Sequence, residues 1–175
     1  MSVGPVIRRA GPVDARRLGA AGPALYAESY AFLWDDDAAY AAQLATFGPD
    51  AFADLLARDD ARVWLVEDDG ALLGFLSLLL GVPEPVTGRS AGAEVPRIYL
   101  ARAATGQGLG RRLLDEAAAC ARDEGAGYLW LDAMETAPWA VRTYQKWGFA
   151  EIGRMPFGRP VKAGHGTLVV LSRDL

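Results

Sequence analysis

The stretch from Arg97 to Gly110, Arg-Ile-Tyr-Leu-Ala-Arg-Ala-Ala-Thr-Gly-Gln-Gly-Leu-Gly, constrains the fold more than any other part of the chain. Ile98, Tyr99 and Leu100 favour an extended backbone, and Gly106, Gly108 and Gly110 cannot sustain a regular element. The segment that follows, Arg111-Arg-Leu-Leu-Asp-Glu-Ala-Ala-Ala-Cys-Ala, is built of good helix formers. Strand, glycine turn and helix in this order leave backbone amides open at a helix N-terminus, a cradle suited to phosphate. Such a turn can also simply join a strand to a helix, so the rest of the chain has to decide.

Read in order, Val3 to Arg8 is a first strand, and Pro12 and Asp14 open a helix with Asp14 as its cap. Gly22-Pro23 predicts a kink or break in that helix. The pattern resumes from Ala24 to Trp34, with Tyr26 and Tyr30 one turn apart on a common face. Asp35, Asp36 and Asp37 precede a helix over Ala38 to Phe47. One carboxylate caps a helix; the surplus leaves a ligand role open. Ala51 to Arg58 is a short helix, and Arg62 to Glu67 and Ala71 to Gly81 form a hairpin about Asp68-Asp69-Gly70. Residues 82–93 read as a mobile loop before the strand Glu94 to Ala101. The long helix ends near Asp123-Glu124-Gly125, and Tyr128 to Ala133 is a strand parallel to its predecessor. Thr136 caps a helix from Ala137 or Pro138 to Trp147, stopped by Gly148. Phe149 to Met155 and Thr167 to Ser172 close the sheet as an antiparallel pair. The reading is one domain over residues 1–175, a mixed α/β (α+β) fold: a mostly antiparallel central sheet flanked by helices, with one parallel junction.

Composition bounds the function. At 175 residues, 51% hydrophobic and 23% charged, the chain suits a soluble globular domain. The single Cys120 excludes an internal disulfide and a cysteine metal cluster, fits a reducing compartment, and lies on the helix face of Ala117 as a packed thiol. No metal is expected. The first residues lack a signal peptide's apolar segment, and the run Ala71 to Pro83 is too short to span a bilayer as a helix, so a cytoplasmic location without membrane contact is expected. The net charge of −4 divides unevenly: residues 1–70 carry 6 Arg against 12 Asp or Glu, and residues 71–175 carry 12 Lys or Arg against 10 acids. The basic excess is too small for nucleic acid, and the split suits two ligands of opposite charge.

Two motifs turn this outline into a resemblance. Thr105-Gly106-Gln107-Gly108-Leu109-Gly110 follows a strand, and Ala140-Val-Arg-Thr-Tyr144-Gln-Lys146-Trp-Gly148-Phe149 closes a helix. In this order and separation they resemble the acetyl-CoA signatures of the GNAT superfamily of N-acetyltransferases. Glu94-x-x-Arg97-Ile-Tyr-Leu, Trp130-Leu, Lys146-Trp-Gly-Phe, Ile152-Gly, Phe157-Gly and the Tyr26-x-x-x-Tyr30 helix resemble the spermine/spermidine acetyltransferase branch. The resemblance implies acetyl-CoA as cofactor, held by Tyr99, Leu100, Ala101, Thr105, Gly106, Gln107, Gly108, Leu109, Gly110, Arg111, Ala137, Ala140 and Lys146. Thr105 stands where the family has Arg or Gln, and Ala137 where it has Asn; the backbone donors from Gln107 to Gly110 do not depend on either side chain.

Transfer of an acetyl group to an amine needs a held thioester, a deprotonated amine, a stabilised oxyanion and a protonated leaving thiolate. The implied catalytic residues are Tyr144 as acid and Glu94 as base, with Asp132 the second choice for the base. Tyr26, Tyr30, Trp34, Asp35, Asp36, Asp37 and Asp132 are expected to meet a small, cationic primary amine. His165 is assigned no role. The expected protein is a monomer or homodimer. Two other readings stay open: an acyl-CoA-binding sensor without catalysis, and a dinucleotide-binding domain, which would require Gly-x-Gly-x-x-Gly rather than the Gly-x-Gly-x-Gly found.

Overall fold

The protein is described by a computed structural model over residues 4–175, so Val3 lies outside the described residues. Among the described residues, seven strands form one sheet: β1 (Val6–Arg9), β2 (Ala61–Asp68), β3 (Ala71–Leu80), β4 (Gly92–Leu100), β5 (Tyr128–Met134), β6 (Ala150–Pro156) and β7 (Thr167–Asp174). Their order is β1-β2-β3-β4-β5-β7-β6. Among these described strands, only β4 and β5 pair in parallel. A dinucleotide-binding unit needs an alternating series of parallel strands, so this topology excludes that reading.

Both faces of the sheet are covered. The helices α1 (Ala15–Tyr30), α2 (Asp37–Ala45) and α3 (Pro49–Leu56) lie on one side, and α4 (Leu109–Asp123) and α5 (Pro138–Lys146) on the other. β2 shows why: Val63 and Leu65 enter the core under α1, while Trp64 and Val66 enter the core under α4. A strand apolar on both pleats can only be buried twice. Asp69 (φ 45°) and Gly70 (φ 82°) both take left-handed backbone at the tip of the β2–β3 hairpin, as its two-residue turn requires.

The expected break at Gly22-Pro23 does not occur; α1 runs through Pro23. Proline removes one helical bond, but its neighbours bring tertiary packing in exchange. A Cβ on Gly19 would lie 2.2 Å from the Pro49 nitrogen, and one on Gly22 would lie 2.8 Å from the Phe47 carbonyl oxygen. Two bare glycines thus let α1 lie directly against the start of α3.

Three local expectations are corrected. Asp14 stands at the N-cap position of α1, but its side chain caps no α1 amide; its carboxylate accepts from Arg8 (2.8 Å) and from the Gly11 amide (2.9 Å) in the turn that opens the helix. Thr136 does not cap α5, because its hydroxyl meets His165 Nδ1 at 3.0 Å. The 82–93 connection, expected to be mobile, is pinned at Glu84, whose buried carboxylate accepts from the amides of Val86 (2.6 Å) and Thr87 (2.9 Å) and from the Thr87 hydroxyl. Burial alone would raise this carboxyl, but the donors from Thr87, Arg89 and Val86 outweigh it and hold it at about 2.

The α1–α3 contact gives a test with a definite sign. Helix propensity favours Gly19→Ala by about 1 kcal/mol. Overlap with the backbone of Pro49 opposes it by about 1–3 kcal/mol or more. Denaturant titration should show net destabilisation; a stabilised variant would contradict the close approach.

Candidate active site

The ladder on either side of β4 is irregular at its middle. Leu79 faces Glu94 and Ser77 faces Arg97, so three steps along β4 match two along β3, and the extra residue is a bulge at Val95-Pro96. The bulge reverses the faces: Val95 packs on the α4 side, while Tyr99 packs on the α1 side. Pairing with β5 covers only Gly92 to Glu94 against Tyr128 to Trp130. Pro96 has no amide proton with which to extend a ladder. Past Glu94 the two strands part. The Ala101 amide donates to the Leu73 carbonyl (2.7 Å). By antiparallel alternation Tyr99 also turns its amide to β3, so those of Ile98 and Leu100 face the opening.

The parting makes a hole through the sheet, lined by residues from both faces. One cavity of about 120 Å³ has Tyr26, Tyr30, Tyr99 and Asp132 in its wall together with Ile98, Leu131 and Tyr144. A second, of about 160 Å³, is bounded by Leu100, Thr105, Gly110, Ala140 and Trp147. Tyr30, Ile98, Tyr99 and Tyr144 line both, so the two abut across these four residues.

At the outer end lies the glycine turn. Gly106 (φ 76°) and Gly108 (φ 75°) are both left-handed, a conformation that costs glycine nothing. The first helical bond of α4 runs from the Arg112 amide to the Gly108 carbonyl (3.0 Å), so the amides of Leu109, Gly110 and Arg111 precede it at the helix end. Alternating left-handed residues before a helix N-terminus form an anion-binding concavity. Gly110 has its own reason to lack a side chain, since a Cβ there would lie 2.9 Å from the Trp147 ring.

At the inner end the aromatics pack against one another. Tyr26 and Tyr30 have centroids 5.5 Å apart, and Tyr99 meets Tyr30 edge-on at 6.0 Å. Burial pushes the Tyr30 phenol up to about 12 and holds those of Tyr99 and Tyr144 still further above their ordinary value. Glu94 and Asp132 share one face of adjacent strands, through the register of Glu94 with Trp130. Burial, reinforced by the Asp132 charge and opposed by Arg58, raises Glu94 to about 7. Burial raises Asp132 to about 6. Arg97 fixes β4 to the turn before α3: its guanidinium donates to the Thr46 carbonyl (2.7 Å) and hydroxyl (3.1 Å) and lies 4.1 Å over the Phe47 ring.

The structure therefore brings Tyr26, Tyr30, Tyr99, Asp132 and Tyr144 around one cavity, and Leu100, Thr105, Gly110 and Ala140 around its neighbour. Gly106, Gln107, Gly108, Leu109 and Arg111 continue the glycine turn, with Arg111 paired to Asp115 (3.1 Å). Ala101 follows β4 directly. Glu94 stands next to the cavity-lining Val95 and within electrostatic reach of Asp132. Other expected residues lie elsewhere. Trp34 is buried beside the cavity wall, where its indole N–H donates to the Tyr26 hydroxyl (3.0 Å). Asp35, Asp36 and Asp37 are exposed and outside both cavities, and Asp36 caps α2 through the Ala39 amide (2.8 Å). Ala137 is fully buried in the core under α1, and Lys146 is exposed outside both cavities. Ile98 lines both cavities as well as extending β4, and Pro96 and Trp139 lie outside the two acetyl-CoA motifs, although a proline inside a strand and a tryptophan opening a helix are both visible in the sequence.

Residues 25–149 match the Acetyltransferase (GNAT) family, and the chain belongs to that family. A streptothricin acetyltransferase from Streptomyces lavendulae is 33% identical over 95 residues, 54% of this chain and 47% of that protein, so the match spans less than half of the curated relative's length. Among solved structures, the PaiA N-acetyltransferase of Thermoplasma acidophilum in complex with coenzyme A superposes with a TM-score of 0.77 at 17% identity, covering 99% of this chain and 100% of that one. A nourseothricin acetyltransferase gives 0.58 at 26% identity, covering 66% of each chain. Among the described residues no helix is long and apolar enough to cross a membrane, and no group of three metal-ligating side chains occurs.

The acidic pair is directly measurable. Carboxyl carbon shifts followed by NMR should show Glu94 and Asp132 titrating with midpoints near 7 and 6, as a coupled pair. Asp132→Asn removes a like charge and should lower the Glu94 midpoint; an unchanged midpoint would separate the two groups.

Proposed function

We propose that this protein is an acetyl-CoA-dependent N-acetyltransferase that transfers directly to a primary amine of a small cationic molecule. The observation that carries the reading is the abutment of an anion-binding cleft and an acidic, aromatic cavity across Tyr144 and the unpaired edge of β4.

The residues present fit the cofactor. The glycine turn offers amides from Gln107 to Arg111 to a pyrophosphate, and the amides of Ile98 and Leu100 match the secondary amides of a pantetheine arm. Thr105, in place of Arg or Gln, turns its hydroxyl to the Arg102 carbonyl (2.7 Å) and leaves this cradle to the backbone. Acetyl-CoA, when bound, supplies the acetyl thioester. The chain's residues do the rest. Asp132 in the cavity wall attracts an ammonium group, and the faces of Tyr26, Tyr30 and Tyr99 favour it further. An alkyl ammonium with a pKa near ~10.4 must lose its proton before attack. Glu94 and Asp132, raised to about 7 and 6, take that proton near neutral pH far better than an ordinary carboxylate would. Tyr144 stays protonated at neutral pH and donates to the departing thiolate.

The acidic first 70 residues and the Tyr26-x-x-x-Tyr30 pattern extend the proposal to polyamines, with Asp132 in the cavity wall, and Glu94 next to it, in place of Asp35 to Asp37 as the charged groups. Free-thiol release from acetyl-CoA over a panel of polyamines, amino acids, streptothricin and nourseothricin tests this. Turnover confined to neutral or acidic acceptors would overturn the cationic assignment, and binding without turnover would leave an acyl-CoA sensor.

Tyr144→Phe removes one proton and little volume. Its kcat should fall by about 10²–10⁴ with KM for acetyl-CoA nearly constant. A fall of less than about threefold, where chemistry limits the rate, would return Tyr144 to a packing role.

A further inference from the structure

Arg97 carries a charge that no neighbouring carboxylate neutralises. It shares a pleat of β4 with Tyr99, and its guanidinium lies over the Phe47 ring in the core under α1. The groups it donates to, the Thr46 carbonyl and hydroxyl, are neutral, and so is Ser77 directly opposite on β3. Tyr99 is kept protonated by burial and supplies no negative charge. Among the described residues no carboxylate stands within ion-pair distance of Arg97. The side chain is nonetheless half-buried, where an unpaired charge is costly. A second cation approaches it. Arg159 belongs to the β6–β7 connection, which is fixed by the Phe157 ring against Trp34 (6.3 Å) and by the Lys162 amide donating to the Leu33 carbonyl (2.8 Å). Arg159 is exposed, forms no ion pair with a described residue, and acts electrostatically on both Arg97 and Tyr26. The Phe47 ring under Arg97 meets Tyr26 at 4.9 Å and Tyr99 at 5.4 Å, and both tyrosines line the 120 Å³ cavity that also has Asp132 in its wall.

We infer that Arg97 and Arg159 receive a carboxylate of the acceptor, so that the substrate carries a carboxylate as well as the amine that is acetylated. The inference rests on the acetyl-transfer reading above and narrows its acceptor. The ammonium group goes to Asp132, and the carboxylate goes to the two arginines. Thr46 engages two of the five N–H groups of Arg97, which leaves donors for the paired N–H···O bonds that a guanidinium makes to a carboxylate. In that reading the cofactor's phosphates belong to the glycine turn before α4, so the anion here comes from the acceptor. A diamino acid satisfies both charges and keeps a net positive charge. A plain polyamine would instead bring a second ammonium toward two guanidinium groups.

Thiol release at saturating acetyl-CoA tests this on pairs of amines that differ by the carboxylate alone: lysine with cadaverine, ornithine with putrescine, and arginine with agmatine. The full chain should favour the carboxylate-bearing member of its best pair by about tenfold in kcat/KM, the worth of one charge-assisted pair. Arg159→Gln, at an exposed position, and Arg97→Gln, which keeps a donor for Thr46, should each raise KM for that member and bring the ratio toward one. Equal kcat/KM within the pairs, or turnover confined to the decarboxylated amines and polyamines, would overturn the inference. So would a ratio that both variants leave unchanged because the two members lose alike, which would make Arg97 a tether for Thr46 alone. The absence of thiol release with any amine is a different result and would overturn the acetyl-transfer reading.

Discussion

Everything at the candidate site depends on the ladder between β4 and β5 stopping at Glu94. A sheet satisfies its backbone by pairing every strand on both sides, and leaving an interior edge unpaired costs free energy. Here the bulge at Val95-Pro96 and the missing amide proton of Pro96 make continued pairing impossible, and the strands separate. The separation joins the two faces of the sheet through one hole. The acidic, aromatic side under α1 then lies next to the glycine turn before α4. In the proposed reaction this opening is what brings a cationic amine and an anionic cofactor together.

The same opening sets the electrostatics. Glu94 and Asp132 occupy the β4–β5 junction, where burial disfavours their charged forms. Their pKa values in the folded state exceed those in the unfolded chain, so their contribution to stability is complete below the ordinary carboxylate range and is lost as pH rises through about 6 and 7. Glu84 behaves in the opposite sense. Held at about 2 by backbone donors, it stabilises the fold above the ordinary carboxylate range and loses that contribution as pH falls. Glu84 is satisfied and holds a loop, while the half-buried Glu94 and Asp132 keep carboxyls raised toward neutral pH.

The order of elements was legible because hydrophobic period and glycine placement carry it: the β2–β3 hairpin, the glycine turn and α4 all stand where the sequence puts them. Pro23 misled because local chemistry argues for a break, whereas Gly19 and Gly22 act through α3, a contact visible only in three dimensions. Asp35 to Asp37 misled for a related reason. A run of carboxylates looks like a ligand site along the chain, but Asp36 is engaged in capping and all three face outward. The tyrosines and Asp132 come together from α1, β4, β5 and α5, so family motifs could point to several of them while only the fold shows a common cavity. Trp139 belongs to no motif and becomes noticeable only through its exposure beside the cleft.

The central claim is that the free edge of β4, together with the glycine turn, holds the cofactor by backbone. Residue-resolved amide hydrogen exchange with and without coenzyme A tests it most directly. The account predicts protection at Ile98 and Leu100 and from Gln107 to Arg111, with little change at Tyr99, whose amide is already paired with β3. Protection confined to other segments, or none at Ile98 and Leu100 under saturating coenzyme A, would contradict it.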